Sequence, residues 1–174
     1  CSRDCSSDVC SSDLGGDTLW ANGHLAYETL SPGLQATLDG LRAVHSARRS
    51  YAPGSHIDRT SDRRTMRIHA AEEAYDEQEH PLVVTHPESG RRALFLNPTY
   101  TIRIAGWTAE ESKPLLDFLA AHATHPAFTC RFRWTPNTLA IWDNRVTQHN
   151  AVNDYDGWRR EAFRTTVAGS APRP

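Results

Sequence analysis

The strongest constraint on this chain's fold is a stretch of eight residues in which apolar and polar side chains alternate without a break. Phe128, Cys130, Phe132 and Trp134 fall on one parity, and Thr129, Arg131, Arg133 and Thr135 fall on the other. A period of two is the signature of a half-buried β-strand, because successive side chains of a strand point to opposite faces. A strand needs partners for its backbone N–H and C=O groups, so further strands must exist. His80-Pro81-Leu82-Val83-Val84 opens a strand-rich body, and Gly90 gives a turn before Ala93-Leu94-Phe95-Leu96. Thr138 to Trp142 and Phe163 to Val167 are expected to form two more strands.

Helical signals sit between and before these strands. Thr108, with Glu111 three residues on, forms a capping box ahead of Leu115, Leu116, Phe118 and Leu119. Ser31-Pro32 offers an N-cap and a proline at the first helical position, with Leu34, Leu38 and Leu41 on one face. Leu25 to Leu30 reads as a short helix, and the polar stretch 46–79 as a surface excursion or lid. Strands broken by turns, with helices outside them, predict a mainly β fold with flanking helices. The architecture that suits them is a double-stranded β-helix, the jelly-roll barrel of cupin type.

A chain of 174 residues is one domain or part of one, long enough to bury a sizeable core. Its formal charge of −2 lacks the basic field of a nucleic-acid or membrane-surface binder, so neither partner is expected. No apolar run approaches the roughly 20 residues of a membrane span. Arginine greatly outnumbers lysine, since Lys113 is the only lysine, as a GC-rich coding sequence would give.

Three of the four cysteines, Cys1, Cys5 and Cys10, lie in the first fourteen residues, where Cys-Ser-Ser-Asp occurs at 5–8 and again at 10–13. That spacing could mark a small disulfide or metal knot. The segment has no apolar periodicity, however, and Asp8 to Leu14 back-translates to a sequencing-library adapter read in frame. Residues 1–14 are therefore read as a non-native tail, set apart from fold and function. Residues 15–174 are read as the C-terminal part of a single domain, truncated at its N-terminus. With the tail set aside, Cys130 is the one cysteine, which suits a reducing cytoplasm.

Two motifs carry the functional reading. Gly15-Gly16-Asp17-Thr18-Leu19-Trp20 stands near the start, and Trp142-Asp143-Asn144-Arg145-Val146-Thr147-Gln148-His149 stands near the end, followed by Arg160 and Arg164. Together they resemble the taurine dioxygenase family of Fe(II)- and 2-oxoglutarate-dependent oxygenases, over Gly15 to about Gly169. The resemblance implies the jelly-roll barrel and an iron held by two histidines and one carboxylate. His149 matches the distal histidine ligand. Arg160, eleven residues further on, matches the arginine that binds the C5 carboxylate of 2-oxoglutarate, and Thr18 matches the hydroxyl donor to that carboxylate. Arginine suits this task because its planar fork pairs bidentately with a carboxylate and stays charged when desolvated.

Arg164 is four residues beyond Arg160, an even number that puts both on one side of a strand and Arg159 on the other. In the family the corresponding position faces an anionic substrate. The resemblance thus implies hydroxylation, with O2, of a small anionic substrate such as a taurine-like sulfonate, an alkyl sulfate or a carboxylate. It leaves open whether the intact enzyme is a homo-oligomer.

The family's remaining two ligands form a His-x-Asp pair upstream of Gly-Gly-Asp-Thr, and this chain has none there. His56-Ile57-Asp58 and His86-Pro87-Glu88 are His-x-acid triplets, but both follow Trp20. His56 sits in the polar excursion and His86 in a turn, so neither pair is assigned to metal. The chain is therefore expected to be an incomplete and inactive fragment. Trp142 is read as core, Asp143 as a brace for the following loop, and Phe128, Phe132 and Trp134 as barrel packing. The competing readings are a non-catalytic jelly-roll binding module without the His-x-Asp ligands, and a small metal-binding module built on Cys1, Cys5 and Cys10.

Overall fold

The computed structural model describes residues 15–55, 59, 70–155 and 161–174. The predicted tail, the His56/Asp58 triplet and Arg160 all lie outside the described residues.

The chain opens with strand β1, Thr18–Asn22. Helix α1, Gly23–Glu28, starts two residues before the predicted Leu25 because Asn22 caps it, its Oδ1 accepting from the N–H groups of His24 and Leu25. Helix α2, Pro32–Leu38, is capped by Ser31 as expected. Strand β2, Arg42–His45, and the single turn α3, Arg48–Tyr51, follow. A 3-10 turn spans Glu72–Tyr75. Then come β3 (Gln78–Pro81), β4 (Val83–Thr85), β5 (Arg92–Leu94) and β6 (Thr101–Ile104).

Helix α4, Ala109–Ala123, carries the full capping box predicted for Thr108 and Glu111. Strand β7, Thr129–Phe132, falls within the alternating stretch, and β8, Thr147–Ala151, is the last strand among the described residues.

These strands form three small antiparallel sheets, ordered β7-β1-β8, β3-β2-β6 and β4-β5. Leu30, Leu38, Leu82, Leu94, Ile104 and Leu119 are among the side chains that close a core between the helices and the β2 and β4 sheets. At about 25 cal/mol per Å² of apolar surface, each such side chain contributes roughly 1.5–3 kcal/mol on burial.

Three expectations need correction. The described residues form no closed barrel, only these separate sheets. Residues 138–142 are irregular, with Leu139 and Ile141 exposed, and 163–167 are irregular, with Phe163 99% exposed. A strand exists only where a neighbour takes its backbone hydrogen bonds, and among the described residues neither segment has such a partner. Cys130, read as lying on an apolar face, is exposed.

Candidate functional site

The β7-β1-β8 sheet carries both sequence motifs. β1 is its central strand, and the registers pair Thr18 with Phe132 and Ala151, and Trp20 with Cys130 and His149. Directly opposed residues share a face, so Thr18, Trp20, Phe132 and His149 lie on one side of the sheet. On that side Trp20 packs against Phe132, Trp134 and Trp142, with ring centroids 5.6, 6.3 and 5.5 Å away. Trp142 in turn lies 5.3 Å from the His149 ring. His149 therefore sits in the middle of β8, fixed by aromatic neighbours, rather than just past a strand at 138–142.

Thr18 is buried, and its Oγ1 accepts a 2.9 Å hydrogen bond from the Trp134 indole N–H. A hydroxyl both accepts and donates, so the Thr18 O–H remains able to donate. Next to it, buried Asp17 holds the Arg131 guanidinium at 2.6 Å through Oδ2, while its Oδ1 has no partner among the described residues.

His149 is exposed by surface area, yet the protein around its ring desolvates it, and the Arg164 charge acts in the same direction. Both hold its pKa below the usual histidine value and keep it neutral at pH 7. No side chain or backbone group among the described residues hydrogen-bonds its ring nitrogens. A neutral imidazole with a free nitrogen is the form that binds a metal. One imidazole is nevertheless one donor, and the described residues contain no group of three or more His, Cys, Asp or Glu side chains able to hold a metal ion. The described residues therefore do not make a complete metal centre by themselves.

A cavity of about 500 Å³ opens beside His149, lined also by His45, His80, Phe95 and Tyr100. Neither Thr18 nor Arg164 lines it. Arg164 is exposed, but its charge reaches both His149 and Tyr100. Burial and the neighbouring Tyr51, stacked at 6.1 Å, push the Tyr100 phenol up to about 12. The structure thus brings Thr18 and His149 onto one sheet face, with the Arg164 charge nearby.

The sequence reading missed the two histidines in the cavity. His45 stacks on Phe95 at 5.7 Å and meets His80 edge-on at 5.2 Å. Desolvation, followed by the His80 charge, lowers His45 to about 4, and its buried Nε2 has no partner among the described residues. Both histidines sit on short strands whose partners come from distant parts of the chain, so no local signal singles them out.

His86 and Glu88 lie in and beside the turn between β4 and β5, and both are engaged. The His86 Nε2 lies 3.0 Å from Asp143 Oδ2 and 3.3 Å from Glu88 Oε2. Asp143 also accepts from the backbone N–H and the guanidinium of Arg145. Arg145, then His86, hold the Asp143 carboxyl well below the usual carboxylate range. Asp143 thus braces the loop before β8.

Residues 9–166 match the profile of the taurine catabolism dioxygenase TauD, TfdA family. The chain is similar to the alpha-ketoglutarate-dependent sulfate ester dioxygenase of Pseudomonas putida, at 42% identity over 91% of this chain and 52% of that protein. It is also similar to the crystal structure of a taurine dioxygenase from Burkholderia xenovorans, with TM-score 0.63 and 42% identity, covering 80% of this chain and 42% of the other. A structure of AAD-2 in complex with Mn(II) and N-oxalylglycine matches with TM-score 0.71 and 30% identity, over 91% of this chain and 60% of the other. The chain spans about half the length of the curated relatives it matches.

Proposed function

This chain belongs to the taurine catabolism dioxygenase TauD, TfdA family, and on that premise we propose that it is the C-terminal part of an Fe(II)- and 2-oxoglutarate-dependent dioxygenase. Its substrate is a small anion: a taurine-like sulfonate, an alkyl sulfate or a carboxylate. The observation that carries this reading is the register of the β7-β1-β8 sheet, which sets Thr18 and His149 on one face.

In this reading His149 offers its neutral ring to the iron as one of three protein ligands, the other two coming from residues outside those described. Arg160 pairs with the distal carboxylate of 2-oxoglutarate, and the Thr18 hydroxyl donates to the same group. The Trp134 N–H holds the Thr18 oxygen in place for this, since it occupies an acceptor site and leaves the O–H to turn outward. Arg164, whose charge reaches His149, attracts the anionic head of the substrate. The aromatic side chains around Trp20 shield part of that side of the sheet from water. When bound, iron and 2-oxoglutarate supply the oxidising power for hydroxylation with O2, giving succinate and carbon dioxide as co-products. The sulfate ester dioxygenase and taurine dioxygenase relatives support a sulfate ester or sulfonate substrate. The setting is the cytoplasm.

In this reading the family's His-x-Asp pair supplies the other two ligands, and the described residues alone do not assemble the centre. The alternative is a non-catalytic jelly-roll binding module that lacks the His-x-Asp ligands; the presence of Thr18, His149, Arg160 and Arg164 together speaks against it. The two readings diverge in the coding DNA upstream of Gly15. A strand carrying His-x-Asp there, together with 2-oxoglutarate-dependent succinate formation by the corresponding protein, supports the oxygenase. An upstream sequence without that pair refutes it.

A further inference from the structure

Five side chains from two distant parts of the chain close on one another just before β8. The turn after β4 contributes His86, Glu88 and Ser89, and the loop ahead of β8 contributes Asp143 and Arg145. The Ser89 backbone N–H donates to His86 Nδ1 at 3.2 Å, so that nitrogen is the acceptor. In a neutral ring the proton then sits on Nε2, which donates to Asp143 Oδ2 at 3.0 Å. Asp143 takes the Arg145 Nε–H at 2.9 Å, and Arg145 Nη1 donates to Glu88 Oε1 at 3.0 Å, which completes the ring of contacts. The loop is held from another side too: the Gly23 N–H donates to Val146 O at 2.8 Å.

Stability is a poor explanation for this cluster. The Arg145 and Glu88 side chains are 42% and 64% exposed, and ion pairs so open to solvent contribute little to folding. Geometry is the better one. His149 is four residues beyond Arg145 on a strand that, among the described residues, pairs with β1 alone. A slip of one residue would turn His149 to the opposite face, away from Thr18 and Trp142. The His86 ring is only 12% exposed and is packed edge-on against His24, so it is the rigid member that fixes the others.

We propose that His86, acting through Asp143 and Arg145, is a positioning residue that sets the register of β8 and thereby aims the His149 ring. The proposal rests on the reading of His149 as a metal ligand, and its test separates the two. The experiment is NMR of the full chain with labelled histidine. The Trp142 ring, 5.3 Å from His149, imposes a ring-current shift on the His149 ring protons, which reports their relative orientation. In His86→Ala these signals are expected to move toward their values in Trp142→Leu. Backbone amides of 147–151 should exchange faster by on the order of tenfold, with α4 unchanged. His86→Gln, which keeps a donor near the Nε2 position, should restore both. Glu88→Gln, at an exposed site that folding tolerates, should shift the same signals partway.

Unchanged His149 signals in His86→Ala, or in Glu88→Gln should the alanine variant fail to fold, would overturn the proposal. So would equal loss in His86→Ala and His86→Gln, which would mark a packing role alone. Separately, because this chain supplies one ligand of three, Mn(II) is added to the intact gene product that carries these residues and the upstream ligands, and it should broaden the His149 ring signals first. Failure to broaden them there would sink the metal reading while leaving the positioning result standing.

Discussion

Gly23→Ala tests the packing that delivers β8 to its place. A methyl group built on Gly23 would lie 2.9 Å from the carbonyl oxygen of Val146 and 3.0 Å from that of Leu94. Both obstacles are backbone atoms, which cannot swing aside as a side chain can. At the start of α1, alanine would by propensity gain up to about 1 kcal/mol over glycine. Against this stand the overpacking cost of roughly 1–3 kcal/mol and the strain on the 2.8 Å bond from the Gly23 N–H to Val146 O. A net intramolecular hydrogen bond is worth about 1 kcal/mol. The balance predicts destabilisation of about 1–3 kcal/mol, read as a lower urea midpoint at unchanged slope. The amides of 146–151 should also exchange faster, because Val146 leads into β8. A variant as stable as the parent, or more stable, would refute the claim that this close approach locks the β8 entry.

Two further predictions follow from buried polar groups. Arg131→Ala strips buried Asp17 of the guanidinium 2.6 Å from it and should lower the denaturation midpoint; a midpoint within error of the parent would contradict it. His45, lowered to about 4 in the fold from 6.5, binds its proton more readily when unfolded, so its neutral form favours the fold above pH 6.5. That contribution erodes as pH falls from 6.5 toward 4, and His45→Phe should flatten the slope of stability over this window; an unchanged slope would contradict the assignment.

Much of this was legible locally. Alternation at 128–134 marks β7, the Thr108/Glu111 box marks the start of α4, and Ser31-Pro32 marks the start of α2, because each signal lies within one turn or strand. The pairing of Trp20 with His149 was not legible, since register joins residues far apart in the chain. Thr138 to Trp142 misled for the same reason. Its apolar residues read as a strand, but pairing is decided elsewhere, and the ladder falls instead on Thr147–Ala151, a more polar segment. β2 and β6 are four-residue strands too short to show a period. Family resemblance supplied the roles of Thr18, His149, Arg160 and Arg164, which no periodicity could give. The role of Asp143 as a brace was reachable from its place before Arg145, whereas its His86 partner, 57 residues away, was not.

The central claim concerns His149 and the two arginines, and it is tested most directly in the intact gene product that carries these residues, by 2-oxoglutarate affinity and substrate-coupled succinate formation. His149→Ala should abolish succinate formation. Arg160→Ala should weaken 2-oxoglutarate binding by on the order of 2–5 kcal/mol, as removing one partner does wherever a charge pair is held away from water. Arg164→Ala should leave that affinity nearly intact while substrate affinity falls and succinate formation uncouples from hydroxylation. Equal loss of 2-oxoglutarate affinity in both arginine variants, or full activity without His149, would contradict the account.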